Sequence, residues 1–174
     1  MLLQGVVMPS RAKNKGKYLE SLVAKLIQES WGLKDHEVHR NQTSGVFHTE
    51  YGDIFFKYLN IIIECKNQES WDLKHVLTWS KPISDWWQQL MKDVVRYRDK
   101  FETEPLYALV IGRSHYPKFI IFDIQNMLKT PVLKGLSKSI EPFIKQLPSY
   151  CIVRQSKLVT FLNDAIETLK YYVL

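Results

Sequence analysis

Gly52-Asp53-Ile54-Phe55-Phe56-Lys57-Tyr58-Leu59-Asn60-Ile61-Ile62-Ile63-Glu64-Cys65-Lys66 holds two short β-forming runs joined through Tyr58-Leu59-Asn60. Their Ile and Phe content and the polar residues between them predict a hairpin of Asp53 to Lys57 and Ile61 to Lys66. Asp53 heads the first run, and Glu64 and Lys66 close the second. Strand side chains alternate between faces, so Glu64 and Lys66 share a side while Cys65 points the other way. Charges set beside Ile61, Ile62 and Ile63 are costly unless something compensates them. A divalent cation held by Asp53 and Glu64, with Lys66 next to it, would supply that compensation, and such a cluster suits phosphodiester hydrolysis.

Outward from the hairpin, Leu19, Leu22, Val23, Leu26 and Ile27 recur at helical spacing, predicting an amphipathic helix from Gly16 to Ser30 that Gly32 stops. Glu20 lies at the flank of that stripe, in line with Val23 and Ile27, where it can face the sheet edge. Val38 to Gln42 and Val46 to Thr49 read as short extended pieces around a Thr43-Ser44-Gly45 turn. Gln68 to Lys81 reads as irregular. A second helix is expected from Ile83 to Phe101, with Trp86, Leu90 and Val94 on one face and Pro105 ending the element. Leu106 to Gly112 and Lys118 to Ile124 read as strands, Pro131 to Gln146 as weakly helical, and Tyr150 to Arg154 as another strand. Ser156 reads as the cap of a last helix running to Lys170. The order predicts an α/β fold with a central mixed sheet of about five strands flanked by helices.

A chain of 174 residues suffices for one domain with a sizeable core, and its 45% apolar content argues against disorder. We expect one domain over 1–174, with residues 1–17 as a basic arm and 126–174 as a C-terminal extension. Cys65 and Cys151 match no disulfide framework or zinc-ligand spacing, which fits a reducing, cytoplasmic setting. No segment approaches the roughly 20 apolar residues that cross a bilayer. Met1 to Val7 is short and lacks the basic start of a secretory signal. The net charge of +6 is uneven, because Arg11, Lys13, Lys15 and Lys17 meet no acid before Glu20. Such a basic arm is either a solvated terminus or a handle for phosphates, and its place before the first helix favours nucleic acid.

An acid, any residue and a lysine make a short pattern, and Asp72-Leu73-Lys74 repeats it without a strand or an upstream partner. Glu64 and Lys66 could likewise be an exposed ion pair on a sheet face. The hairpin, Asp53, Glu20 and the basic arm together favour a site.

These residues resemble the PD-(D/E)XK nucleases, and within them the archaeal-type Holliday junction resolvases with their phage and viral relatives. The matching pieces are Lys15-Gly16-Lys17-Tyr18-Leu19-Glu20, Arg40, Ser44-Gly45, Gly52-Asp53-Ile54 and Ile63-Glu64-Cys65-Lys66, in the family's order and over residues 9 to 124. Gly52 departs from the proline of the family's name. The resemblance implies a restriction-endonuclease-like core in which Asp53, Glu64 and the main-chain carbonyl of Cys65 ligate Mg2+ or Mn2+, hard cations that prefer oxygen. It implies that Lys66 orients the attacking water and that Glu20 supports a second cation or the water network. Arg40 and Ser44 would touch a phosphate near the scissile bond. The products would carry a 5′-phosphate and a 3′-hydroxyl, and a homodimer would nick opposed strands of branched DNA. Other duplex-cutting members of the superfamily and an inactive DNA-binding module are the alternatives.

Gln88 and Gln89 open the second long helix, where related nucleases place a polar DNA-facing side chain; Gln88 joins the DNA-binding set of Arg11, Lys13, Lys15, Lys17, Arg40 and Ser44. Trp86 reads as core or interface, whereas Trp71 and Trp79, in a polar stretch, are candidates for contact with a distorted junction. His36, His39 and His48 lack cysteine or acidic partners at zinc-ligand spacing. Tyr171-Tyr172-Val173-Leu174 reads as a docked helix end or an apolar patch for a second subunit.

Overall fold

The computed structural model describes residues 11–41, 51–136, 138–147, 151–154 and 156–174, with the side chains of 11–14 and 154 outside the description. Ser44, its flanking turn and the Val46 to Thr49 piece therefore lie outside the described residues.

The elements in chain order are α1 (Arg11–Trp31), β1 (Val38–Arg40), β2 (Ile54–Phe56), β3 (Ile61–Asn67), α2 (Leu73–Thr78), α3 (Ile83–Phe101) and β4 (Leu106–Gly112). After these come β5 (Phe119–Asp123), α4 (Ile124–Lys129), α5 (Glu141–Gln146), β6 (Cys151–Arg154), β7 (Lys157–Phe161) and α6 (Leu162–Val173). They build one seven-stranded sheet in the order β1-β2-β3-β4-β5-β7-β6. The β3–β4 pair is parallel, with Glu64 opposite Leu109, and every other pair is antiparallel.

Strand alternation sorts the core into two layers. Ile61, Ile63 and Cys65 of β3 point to the side covered by α1 and α6, where Leu19, Val23, Ile27, Ile166 and Leu169 are buried. Ile62 points to the opposite side, against Trp86, Leu90 and Val94 of α3. Each of these aliphatic side chains contributes roughly 1.5–3 kcal/mol on full burial. β4 is buried along its whole length, as expected of a central strand packed on both faces. Trp31 Nε1 donates to the Ile166 carbonyl at 2.8 Å and ties α1 to α6.

The hairpin, α3, β4, β5 and β6 match the sequence reading, while some other elements correct it. The sheet has seven strands rather than about five. Leu158, Val159 and Thr160 are a buried run between β5 and β6, so Lys157–Phe161 is a strand and the last helix begins at Leu162, not at Ser156. Residues 68–81 are not wholly irregular. Asp72 caps α2 by accepting from the His75 amide at 3.1 Å, and its own amide donates to His75 Nδ1 at 3.2 Å. α3 ends at Glu102, whose amide donates to the Arg98 carbonyl, before Pro105 is reached. The stretch Arg11 to Lys17 forms the opening turns of α1. The C-terminal end is docked: Tyr172 is buried against Phe143 and lies so close to Gly135 that a Cβ there would sit 2.4 Å from its ring, while Tyr171 is exposed.

Candidate active site

Asp53 sits between two strands that fix its backbone. Its amide donates to the Ile63 carbonyl at 2.7 Å, and its carbonyl accepts from the Asn41 amide at 2.8 Å. The buried Asn41 side chain also donates to the Gly52 carbonyl at 3.2 Å. Gly52 itself has φ +69°, and a Cβ built there would lie 2.7 Å from the Ile63 oxygen. Proline, locked near −65°, cannot take that backbone. The departure from the family's proline thus follows from the local turn.

The Asp53 carboxylate turns toward β3, where Oδ2 accepts from the Cys65 amide at 2.8 Å. Glu64 shares the α3-facing side of β3 with Ile62. Its Oε1 accepts from Lys66 Nζ at 2.6 Å and from Gln89 Nε2, on α3, at 2.9 Å. Both carboxylates are buried, Asp53 at 9% exposure and Glu64 at 4%. Burial, then the charge of Glu64, pushes the Asp53 carboxyl up to about 7, against the lowering effect of the Cys65 amide. Burial raises Glu64 as well, opposed by Lys66 and reinforced by Asp93 and Glu20. The Cys65 thiol faces the other layer, and burial with the nearby acids pushes it well up, so it stays protonated.

The structure therefore brings Asp53, Glu64 and Lys66 together. Glu20 adds to the negative potential at Asp53 and Glu64, and its Oε2 is held by Arg40 Nη1 at 3.3 Å. Two buried carboxylates with one amine leave an excess of negative charge, which a proton on Asp53 relieves at low pH and a cation would relieve at higher pH. The donor set fits a hard divalent cation: Asp53 and Glu64 each have an oxygen that accepts no hydrogen bond among the described residues, and Cys65, whose amide meets Asp53, would offer its main-chain carbonyl as a further oxygen. Among the described residues no group of three or more His, Cys, Asp or Glu side chains is arranged to hold a metal, so backbone and water oxygens would have to complete the shell.

Other expected residues fall differently. Lys15 is paired with Glu69 at 2.8 Å, and Lys17 is exposed. The side chains of Arg11 and Lys13 and all of Ser44 lie outside the described residues. Gln88 is exposed on α3, and its neighbour Gln89 is the one that reaches Glu64. Trp71 is no junction contact as it stands, because it is 1% exposed and its Nε1 donates to the Gly112 carbonyl. Trp79 is half-buried, edge-on to Trp87 at 5.5 Å. The sequence reading passed over Asn41 and Asp93. Asp93 accepts from the Gly52 amide at 3.2 Å and from Arg96 at 2.7 Å. Its signal was available: Gln89 and Asp93 stand four apart, a polar pair along the flank of the Trp86-Leu90-Val94 stripe.

An acidic strand start, a glutamate and lysine at the tail of the next strand, and a mixed sheet between helical layers define the PD-(D/E)XK class of nucleases. A family model described as "Phage putative PDDEXK endonuclease" matches residues 11–169, and the chain belongs to that family of phage-type endonucleases. The match runs past the hairpin and β4 to take in β6, β7 and most of α6. No curated protein and no solved structure matches the chain. Membership makes the chain a nuclease with DNA as its substrate. Among the described residues no helix is long and apolar enough to cross a membrane.

Proposed function

We propose that the chain is a Mg2+- or Mn2+-dependent, structure-selective DNA endonuclease that resolves four-way junctions by paired nicks. The observation that carries the hydrolytic part is the buried grouping of Asp53, Glu64 and Lys66, with Glu64 bonded to Lys66 at 2.6 Å. Asp53, Glu64 and the Cys65 carbonyl would hold the cation, with Glu20 serving a second cation or the water network. When bound, the cation supplies activation of water and neutralisation of charge on the phosphate. Lys66 orients the water for in-line attack: its oxygen bonds to phosphorus, the bond from phosphorus to the 3′-oxygen breaks, and the proton released passes to that oxygen. The ends are a 5′-phosphate and a 3′-hydroxyl. Arg40 and Ser44 would position the strand through its phosphates, with Arg11, Lys13, Lys17 and Gln88 spreading the contact.

Junction selectivity is supported by the ordered likeness of the Lys15 to Glu20, Arg40, Asp53 and Glu64 to Lys66 pieces to the resolvases. A homodimer is the natural form, because two sites related by a twofold axis suit a substrate of the same symmetry. The test is cleavage of a four-way junction against linear duplex, with Mg2+ and with EDTA. The proposal expects symmetric nicks in the junction, little duplex cutting and no reaction in EDTA. Equal cutting of both substrates would make the chain a general phage nuclease. Binding without nicking would make it an inactive DNA-binding module.

A further inference from the structure

Glu69, two residues beyond β3, is half-exposed yet collects four donors. Its Oε1 accepts from Lys15 Nζ at 2.8 Å, the Ser114 amide at 3.3 Å and Ser114 Oγ at 2.5 Å, and Oε2 lies 3.5 Å from Arg113 Nε. Two cations, a hydroxyl and a backbone amide are the donor set that proteins turn toward DNA phosphates.

Arg113 and the Lys15 backbone are also held by groups other than Glu69. Arg113 donates to the Trp71 carbonyl at 3.0 Å and lies over the Tyr116 ring at 5.4 Å. The Lys15 backbone carbonyl accepts from Asn67 Nδ2 at 2.9 Å. Lys15 and Glu69 line a cleft of about 620 Å³ whose wall also includes Lys66. A strand laid along that cleft with its scissile phosphate at Lys66 would come to Lys15 and Glu69.

We propose that Lys15, Arg113 and Ser114 form a second phosphate site for the DNA backbone, in which the Glu69 carboxylate stands in until a strand displaces it. The proposal rests on the nuclease reading. The pairs are half-exposed and screened by solvent, so an incoming strand phosphate can compete for the same donors. Hydrogen bonds from Lys15 and Ser114 hold the Glu69 carboxyl at about 2, so the stand-in stays charged at every working pH.

The test is fluorescence anisotropy of Glu69→Gln with a labelled junction and a labelled duplex, in EDTA so that nothing is cut. Glutamine keeps an acceptor for Ser114 and removes only the competing charge. We expect DNA affinity to rise roughly tenfold and the slope of log K against log salt to steepen by about 1, the value for one further phosphate contact. The gain should vanish in a Lys15→Gln, Arg113→Gln background. Affinity equal to or below wild type, or a gain that survives in that background, would overturn the cradle. Inorganic phosphate at constant ionic strength forms the second arm: a strand phosphate, anchored by its neighbours, keeps most of the gain, and complete loss of the gain would mean a free-anion site instead. Wild-type protein that cuts DNA while Glu69→Gln shows no gain rejects the cradle alone. Wild-type protein that neither binds nor cuts DNA rejects the nuclease reading together with it.

Discussion

Gln89 Nε2 donates to Glu64 Oε1 across 2.9 Å, joining α3 to the end of β3 at the oxygen that also accepts from Lys66. The bond fixes which way the carboxylate turns and leaves its second oxygen to an incoming cation. Partners of this kind are typically worth about 10–100-fold in metal affinity or activity. Gln89→Ala should therefore lower the nicking rate by about that factor through weaker Mg2+ activation, read as a raised Mg2+ requirement. Gln88→Ala should stay within about twofold on the same measure.

Glu64→Gln keeps the shape and the Lys66 contact but removes the charge that faces the cation. Cleavage should fall below detection, a loss of about a thousandfold or more, the scale of removing an electrostatic stabiliser from an active site. Junction affinity should stay within a few fold, because phosphates are held elsewhere. A near-normal rate would reject Glu64 as a ligand.

Burial, then the charge of Glu64, raises the Asp53 carboxyl from 3.8 to about 7. Between those values the folded state holds more protons than the unfolded one, so stability falls as pH rises through the window and levels off above it. Other carboxyls shift oppositely, Glu69 among them, so the readout is the difference between wild type and Asp53→Asn. In urea melts with EDTA the variant should match wild type near about pH 4 and exceed it by a few kcal/mol, in order of magnitude, near about pH 8. Saturating Mg2+ should recover wild-type stability above neutrality and do little for the variant. A variant that is less stable at high pH would contradict this sign.

Gly52 is held at positive φ with Ile63 oxygen against its open side. Gly52→Ala should cost about 2 kcal/mol or more from the left-handed backbone and the close approach. Gly52→Pro, which restores the family's residue, should be worse, since it also loses the amide that donates to Asp93. Denaturant midpoints with an unchanged m-value check both.

Trp71 is buried against Tyr116 and Phe119, so Trp71→Ala should lose about 3–5 kcal/mol of stability. Trp71→Phe, which keeps much of the volume, should retain the ratio of junction to duplex cleavage. A Phe variant that folds normally but loses junction preference would restore the contact role.

The hairpin, α3 and β4 were legible because each is long or regular enough for its period to show. Ile83–Phe101 carries more than five helical turns of pattern, and Leu106–Gly112 is a bare apolar run between breakers. α2 was not legible, because six residues carry too little periodicity and its box uses His75 where a glutamate or glutamine is usual. β7 was hidden for a different reason. It passes into α6 at Leu162 without a turn, so Leu158 and Val159 merged with the helix pattern behind them. Ser156 read as a cap but lies at the β6–β7 connection, where its carbonyl accepts from the Ile124 amide. In the site, alternation put Glu64 and Lys66 on one side of the strand, and the hairpin, Asp53, Glu20 and the basic arm were needed to favour a site over an exposed ion pair. The choice between Gln88 and Gln89 was not legible, because neighbouring helix positions differ by about 100° and only the packing of Trp86 and Leu90 sets which one faces β3.

Anomalous diffraction from crystals grown with Mn2+ tests the central claim most directly. The expected peak lies within coordination distance, roughly 2.0–2.5 Å, of oxygens from both Asp53 and Glu64, with Lys66 beside it and the Cys65 carbonyl in the shell. A peak that touches neither carboxylate, or none at a concentration that supports cleavage, would contradict it.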